Sequence, residues 1–229
     1  MPAIIISNLS YQLDNGTTLF NNLSVSLTEH RTGLVGRNGS GKSILASLFT
    51  KDLVLTQGEV VLNGKVAIYR QIPSNLLHES TTIAEFLQVD GILSALDHIE
   101  QGSCDLKWFE LVGERWRLRR ELEAQLIQLG LPSDPNMACA LLSGGQLARL
   151  QLWQLFQSNA DVLILDEPSN HLDRQAKQWL MDEPDNHLDL SSKALLANAL
   201  YHYQGAFILV SHDEEFVHES GINRVLSLD

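Results

Sequence analysis

A glycine-rich run that ends in a lysine and a serine is the first feature of this sequence with the makings of a chemical site. Residues 36–43 read Gly-Arg-Asn-Gly-Ser-Gly-Lys-Ser and match the pattern G-x-x-x-x-G-K-[ST]. Glycines let successive backbone N–H groups turn toward phosphate oxygens, and a helix start adds partial positive charge. Lys42 would reach the β and γ phosphates of a nucleotide, and Ser43 would hold Mg²⁺. The candidate phosphate-binding residues are Gly36, Arg37, Asn38, Gly39, Ser40, Gly41, Lys42 and Ser43.

Two adjacent carboxylates follow an apolar run later in the chain. Residues 162–165 are Val-Leu-Ile-Leu and lead directly into Asp166 and Glu167. An Asp-Glu pair by itself is more often a solvated strand end, but α/β sheets bind ligands at the carboxyl ends of their strands. Asp166 is suited to hold Mg²⁺ through its water shell, and Glu167 to act as general base on an attacking water. The phosphate loop elsewhere in the chain favours the catalytic interpretation.

The elements that must position these residues follow from hydrophobic periodicity. The order is mixed β and α, then a helical stretch after Pro73, then α/β again, which predicts a parallel-sheet core with a helical insertion. Asn63-Gly64 between two apolar segments predicts a β-hairpin. Predicted strands cover residues 3–10, 23–27, 32–35, 60–62, 65–69, 162–165 and 207–210. Predicted helices cover residues 44–50, 83–87, 92–99, 108–129 and 147–156.

Composition limits the class of protein. The chain has 229 residues, 44% of them hydrophobic, and a formal net charge of −12, which predicts a globular domain and argues against bulk attraction to nucleic acid or anionic lipid. No apolar run approaches the roughly 18 residues of a membrane span, and the N-terminus does not resemble a signal peptide. Cys104 and Cys139 lack metal-like spacing and are read as buried thiols. We expect a cytoplasmic protein without membrane insertion.

Residues 142–146, Leu-Ser-Gly-Gly-Gln, lie between the phosphate loop and the Asp-Glu strand. These three motifs in this order resemble the ATP-binding cassette (ABC) ATPases over essentially the whole chain. The resemblance implies an α/β P-loop NTPase fold: a RecA-like core at residues 1–73 and 160–229, an antiparallel β subdomain, and a helical subdomain at 74–159. It implies Mg²⁺-dependent ATP hydrolysis at the interface of a homodimer, or with a second ABC domain.

The same resemblance assigns roles to single residues. The signature, which acts in trans on the γ-phosphate of a partner, would be Leu142, Ser143, Gly144, Gly145 and Gln146. Tyr11 matches the aromatic residue that stacks on adenine, although one tyrosine at a strand end equally suits packing. Gln71 matches the glutamine that senses Mg²⁺ and the attacking water, and His212 matches the switch histidine near the γ-phosphate.

Residues 167–173, Glu-Pro-Ser-Asn-His-Leu-Asp, resemble the ABC-F branch of the family, which implies a soluble protein with a role in translation on the ribosome. Two alternatives stay open: the energising subunit of an ABC transporter, and a nucleotide-binding fragment without hydrolytic activity. The basic run at residues 115–120 is diluted by neighbouring glutamates, so a solvated helix face is favoured over an RNA contact.

An internal repeat complicates this picture. Residues 166–173 recur at 182–189, offset by 16 residues, with seven of eight positions identical. Only the first copy follows a predicted strand, so only it is expected to supply the catalytic Asp-Glu pair. The segments after the two copies share Lys177 with Lys193 and Leu180 with Leu196. We hypothesise that 1–181 correspond to the first domain of a two-domain ABC-F protein and 182–229 to the end of the second. Residues 190–201 would form the usual helix and 174–188 an exposed excursion, which puts hydrolysis in doubt.

Overall fold

The chain forms two compact units, Met1–Gln71 with Leu155–Asp229, and Ile72–Gln154. Its computed structural model describes residues 3–13, 15–27, 30–37, 39–50, 52–70, 80–168 and 192–228. Parallel and antiparallel sheets occur together with helices, so the predicted α/β class is confirmed. No helix in the described part of the chain is long and apolar enough to cross a membrane.

The first unit holds an antiparallel three-stranded sheet, in the order β2-β1-β4. Its strands are β1 (Ala3–Gln12), β2 (Thr18–Leu27) and β4 (Gln57–Asn63). Strand β1 pairs with both neighbours, with Ile4 opposite Leu27 on one side and opposite Leu62 on the other. Ile4 and Leu27 are buried, so one face of this sheet contributes to the core.

The same unit holds a parallel five-stranded sheet, in the order β5-β6-β7-β3-β8. Its strands are β3 (Arg31–Val35), β5 (Val66–Tyr69), β6 (Val162–Asp166), β7 (Ala206–Val210) and β8 (Arg224–Ser227). Every residue of β7, and the first four of β6, are buried. Strands covered on both faces read as continuous apolar runs, which is why these two were predictable from the sequence.

The predicted hairpin at Asn63-Gly64 is wrong. Strand β4 pairs with β1 in the antiparallel sheet, whereas β5 pairs with β6 in the parallel sheet. The N–H of Lys65 donates to the carboxylate of Asp161 at 2.7 Å, and the N–H of Asp161 donates to the carbonyl of Lys65 at 2.8 Å. These bonds direct the chain away from β4 and start the β5–β6 pairing instead.

Three described helices lie wholly within the first unit. They are α1 (Lys42–Phe49), α7 (Ser192–His202) and α8 (Glu214–Glu219). Helix α1 buries Leu45, Leu48 and Phe49 in the core. Helix α7 lies where residues 190–201 were predicted to be helical, and its Leu196 and Leu200 are fully buried.

The second unit is helical throughout its described elements. It contains α2 (Ile83–Phe86), α3 (Asp90–Glu100), α4 (Leu106–Val112), α5 (Leu118–Gln128) and a 3₁₀ turn (Cys139–Leu141). Helix α6 spans Gly144–Gln157. The single helix predicted at 108–129 is wrong. Helix α4 ends at Val112, and Gly113, with a φ of +54°, is its C-cap residue.

The basic run is also less uniform than predicted. Arg115, Arg117 and Arg120 are exposed, as a solvated face requires. Arg119 instead forms an ion pair with Asp97 and donates to the carbonyl of Leu93 at 3.3 Å. One of the four arginines therefore stabilises the helical unit rather than facing a partner.

Of the two cysteines predicted to be buried, Cys139 is buried and Cys104 is exposed.

A buried hydroxyl lies at a small cavity in the core of the first unit. The Thr32 side chain on β3 is 1% exposed, and its Oγ1 has no hydrogen-bond partner within the described structure. Apolar residues, among them Ile4, Val162 and Phe207, line the cavity. A desolvated hydroxyl without a partner costs about 1–3 kcal/mol in proteins.

Replacing Thr32 with valine should therefore raise stability. Valine keeps the β-branched shape that suits a strand and removes the unpaired hydroxyl. A gain of about 1 kcal/mol corresponds to a rise in Tm of about 2–4 °C for a chain of this size, measurable by thermal unfolding. Thr32→Ser, which keeps the hydroxyl and loses the methyl group, should lower Tm; a valine variant no more stable than wild type would contradict the assignment.

Candidate functional site

The glycine-rich loop joins β3 to the start of α1, as the sequence predicts for a phosphate site. Gly39 and Gly41 have φ values of +88° and +91°, a region that side chains other than glycine rarely adopt. Helix α1 has Gly41 as its N-cap, no side-chain cap and no acidic residue in its first turn. The first N–H groups of a helix have no acceptor within the helix and, together with the helix dipole, suit an anion.

Lys42 and Ser40 add polar groups to the loop. Lys42 is buried, and its ammonium donates to the carbonyls of Gly36 at 2.8 Å and Arg37 at 3.1 Å. The cation is thus held inside the loop rather than in solvent. The buried Ser40 Oγ has no hydrogen-bond partner among the described residues. A phosphate oxygen would satisfy such a hydroxyl and would offset the charge of Lys42.

The structure brings the phosphate loop and the acidic strand together through one hydrogen bond. The Ser43 hydroxyl donates to Asp166 Oδ1 at 3.0 Å, although 123 residues separate them in sequence. Adjacent oxygen ligands in an octahedral Mg²⁺ shell, each 2.0–2.1 Å from the ion, lie about 3 Å apart. The two side chains therefore fit a Mg²⁺ site. Because Mg²⁺ commonly takes further oxygens from water and phosphate, two protein side chains suffice.

Burial and charge both act on Asp166. Desolvation raises the pKa of its carboxyl above the ordinary value; the Ser43 hydrogen bond opposes that shift, and the neighbouring charge of Glu167 adds to it. The positive charges of Arg70 and Lys42 also lower the pKa. A half-buried carboxylate among these charges suits a metal ligand, because a bound divalent cation would stabilise the ionised form that desolvation disfavours.

Glu167 and His212 meet at the ends of two neighbouring strands. Asp166, the last residue of β6, is opposite Val210, the last residue of β7, and the Glu167 N–H donates to the Val210 carbonyl at 3.0 Å. His212 Nδ1 lies 2.9 Å from both carboxylate oxygens of Glu167. Glu167 has a φ of +47°, a conformation that costs about 1–3 kcal/mol in a residue with a side chain. The carboxylate is therefore held in one place by strand pairing and by an imidazole.

Tyr11 lies on β1 opposite Phe20 of β2 and packs, half buried, against the core of the first unit. The Phe20 ring is 2.8 Å from the place that a Cβ on Gly41 would occupy. The antiparallel sheet thus meets the phosphate loop at Phe20, next to Tyr11. The structure is consistent with both interpretations of Tyr11, packing and base stacking.

The candidate signature belongs to the other unit, at the start of α6. The Ser143 N–H donates to Gln146 Oε1 at 3.0 Å, and the Gln146 N–H donates to Ser143 Oγ at 3.2 Å, which is a reciprocal cap. The Gln146 amide also donates to the Gly130 carbonyl at 3.2 Å. Leu142 is buried, whereas Ser143 and Gly144 are exposed and Gly145 is half buried. The serine and both glycines thus border a helix N-terminus of the kind that binds anions.

Some predicted site residues lie outside the described part of the chain. These are Asn38 of the phosphate loop and the candidate sensor Gln71. The second copy of the repeat and the predicted excursion at 174–188 also lie outside the described ranges. Their roles stay predictions.

Sequence reasoning missed two charged groups beside the site. Arg70 directly follows β5; it donates to Thr50 Oγ1 at 2.9 Å, forms an ion pair with Asp52 at 2.8 Å, and contributes positive charge at Asp166. A basic residue directly after the predicted strand at 65–69 was the available signal. Lys193 of α7 forms an ion pair with Asp213, beside His212. The lysine shared by the segments after the two repeat copies pointed to this residue, but nothing in the sequence indicated its partner.

Comparison with known proteins decides the family. A family model described as ABC transporter matches residues 20–170, well over half of the chain. The chain belongs to the ABC transporter family. Both the phosphate loop and the Asp166-Glu167 pair of this ABC domain fall inside the matched region, so the resemblance drawn from the three motifs is confirmed.

Curated relatives of this ABC domain include members of the ABC-F group. The ATP-binding protein Uup of Haemophilus influenzae is 28% identical over 86% of this chain and 30% of its own length. Uup of Escherichia coli is 31% identical over 87% of this chain and 31% of its length. ABC transporter F family member 4 of Arabidopsis thaliana is 32% identical over 94% of this chain and 24% of its length. The chain spans about a third or less of these relatives.

A solved structure of similar fold comes from a metal-chelate type ABC transporter in an inward-facing conformation. Its chain is 18% identical, with a TM-score of 0.63, and the match covers 100% of this ABC domain and 80% of that chain. At this identity the likeness shows the fold alone. The predicted ABC nucleotide-binding fold is thereby confirmed.

Asp166 should be replaceable with a gain in stability at neutral pH. Because the pKa of Asp166 is raised in the folded protein, ionisation of this carboxyl opposes folding. The contribution of Asp166 to stability is fully present below its unfolded-state pKa, near 4, and is lost as the pH rises through its folded-state pKa. Asp166→Asn avoids that loss and keeps an oxygen for the Ser43 hydroxyl. Without Mg²⁺ or nucleotide, the Tm of Asp166→Asn should exceed that of wild type at pH 7.5, and the difference should shrink as the pH is lowered.

Asp52→Asn provides a control of opposite sign. Hydrogen bonding from Thr50 and Arg70 lowers the pKa of Asp52, so its ionised form stabilises the fold above the unfolded-state pKa and loses that effect as the pH falls. Asp52→Asn should lower Tm at pH 7.5. Both variants shifting Tm in the same direction at pH 7.5 would contradict the opposite electrostatic environments of the two carboxylates.

Proposed function

We propose that this chain binds ATP with Mg²⁺ and hydrolyses the β–γ phosphoanhydride bond. The observation that carries the proposal is the Ser43–Asp166 hydrogen bond, which joins the phosphate loop to the acidic strand. Lys42 and the N–H groups at the start of α1 would bind the β and γ phosphates. Ser43 and Asp166 would hold Mg²⁺, which neutralises charge on the phosphate oxygens as the bond breaks.

Glu167 is proposed to act as the general base. A water molecule in line with the γ-phosphate would lose a proton to Glu167, its oxygen would bond to phosphorus, and the bond to the bridging oxygen would break to give ADP and inorganic phosphate. His212 would keep the Glu167 carboxylate oriented, because its Nδ1 lies 2.9 Å from both oxygens. Gln71 would help to position the same water, as the family resemblance implies.

The signature at the start of α6 is proposed to act on a second nucleotide site. Ser143, Gly144 and Gly145 would contact the γ-phosphate bound by the phosphate loop of a partner, either a second copy of the chain or a second ABC domain. The reciprocal cap between Ser143 and Gln146 supports this role, since it fixes the helix start while the serine hydroxyl hydrogen is left free to donate. Tyr11 would stack on adenine.

Only the first copy of the repeated motif is proposed to take part in catalysis. Asp166 is the last residue of β6, and its position there brings the Asp166 carboxylate to Ser43. The second copy offers the same residue types, with Glu183 in the place of Glu167. The chain therefore contains its own matched control.

Glu167→Gln should slow ATP turnover by about 10² or more, because a general base typically contributes 10²–10⁴-fold, and should leave ATP affinity within about twofold. Glu183→Gln should leave both turnover and affinity unchanged. The measurements are phosphate release and ATP binding by the purified chain. Equal effects of the two substitutions on turnover, or no effect of either, would remove Glu167 from the mechanism.

A role in translation is proposed as the biological setting. The relatives include ABC-F family members, and residues 167–173 resemble that branch. With ATP and the Glu167→Gln substitution in place, the chain should co-sediment with ribosomes. Co-purification with an integral membrane protein would instead favour a transporter subunit. ATP binding with monomeric behaviour and no phosphate release would favour an inactive fragment.

A further inference from the structure

The short loop that carries His212 is fixed on both sides of the histidine. The Ser211 N–H donates to the Leu34 carbonyl at 3.2 Å, and the buried Ser211 Oγ accepts the Asp213 N–H at 3.1 Å. Asp213 Oδ1 accepts the Phe216 N–H at 3.0 Å and so caps α8. The His212 side chain is 49% exposed, and its Nδ1 contacts the Glu167 carboxylate. The position of His212 thus depends on how firmly its neighbours are held.

Asp213 uses its second oxygen for a different contact. Asp213 Oδ2 forms an ion pair with the Lys193 ammonium on α7, and the Glu215 carboxylate lies 3.9 Å from the same ammonium. The pKa of Lys193 is raised, chiefly by its hydrogen bond to Asp213, and the pKa of Asp213 is lowered, chiefly by Lys193. Two oxygens of one carboxylate therefore link α7 to the cap of α8.

We infer that Lys193 is a positioning residue for His212 and Glu167: its ion pair holds Asp213 in the rotamer that caps α8, and the capped loop holds His212 against Glu167. This inference rests on the proposed function. Lys193 does not touch Glu167 or His212 in the described structure, so its effect passes through Asp213 and the loop.

Exposed ion pairs usually contribute little, because two long side chains lose freedom for a weak attraction. This pair differs because both of its ends are anchored. Helix α7 is fixed by the fully buried Leu196 and Leu200, and Asp213 is fixed by the N–H of Phe216. The Lys193 and Asp213 side chains are 30% and 31% exposed, which limits screening by solvent.

The helical unit contains a matched pair that lacks this link. Asp105 caps α4 by accepting the Lys107 N–H at 3.1 Å, and its carboxylate also pairs with the Lys107 ammonium at 3.0 Å. The Lys107 and Asp105 side chains are 61% and 49% exposed, and both residues lie at the start of α4. Lys107→Met therefore removes an ion pair to a capping aspartate without disturbing a second element.

The test compares Lys193→Met, Lys193→Arg and Lys107→Met in the full chain. Lys193→Met should lower kcat for ATP roughly three- to tenfold through misplacement of His212 and Glu167, while KM and ATP affinity change less than about twofold. Amide hydrogen exchange at residues 211–216 should become faster in the same variant. Lys193→Arg should recover at least half of the lost kcat, and Lys107→Met should match wild type in every measurement.

Two results for Lys193→Met would overturn the inference. Wild-type exchange at residues 211–216 in Lys193→Met would show that the ion pair does not hold the loop. Faster exchange with unchanged kcat, in a chain whose Glu167→Gln variant is slow, would show that the ion pair is merely structural. If the wild-type chain binds ATP but releases no phosphate, the proposed function fails by itself, and the exchange measurement alone decides whether Lys193 holds the His212 loop.

Discussion

The order of strands in the parallel sheet is the constraint on which the site depends. Strands β6, β7 and β3 are neighbours, and the chain leaves each of them at the same edge of the sheet. The phosphate loop follows β3, the Asp166-Glu167 pair lies at the end of β6, and His212 follows β7. Three segments that are far apart in sequence therefore supply one site, and the Ser43–Asp166 hydrogen bond is the direct contact between two of them.

That arrangement places groups in the site that oppose folding. Asp166 is a partly desolvated carboxylate, Glu167 has a left-handed backbone, and the buried Ser40 hydroxyl has no hydrogen-bond partner among the described residues. Such features persist where the surrounding structure determines them strongly, and they are common at functional sites. Here residues 162–165 of β6 and all of β7 provide that support, since these apolar residues are buried directly before the reactive ones.

Prediction from the sequence was most accurate where the local residue pattern by itself determines an element. The apolar runs at 162–165 and 207–210 are typical of strands buried on both faces, and the glycine-rich loop has a residue pattern that few other structures require. The prediction failed where a residue far away in the sequence determines how a segment pairs. Asn63-Gly64 has the composition of a hairpin turn. However, the carboxylate of Asp161, almost one hundred residues later, accepts a hydrogen bond from the Lys65 N–H, and β5 pairs in the other sheet. Arg70 and Lys193 were missed for the same reason, because their partners Asp52 and Asp213 become visible only in the fold.

We propose that the phosphate loop and the end of β6 form a single Mg²⁺-nucleotide site. A crystal structure of the Glu167→Gln variant with ATP and Mg²⁺ tests it most directly. We expect phosphate oxygens against the N–H groups at the start of α1, with Mg²⁺ about 2.1 Å from Ser43 Oγ and beside Asp166. Nucleotide bound elsewhere, or phosphates in the loop with Mg²⁺ remote from both side chains, would contradict it.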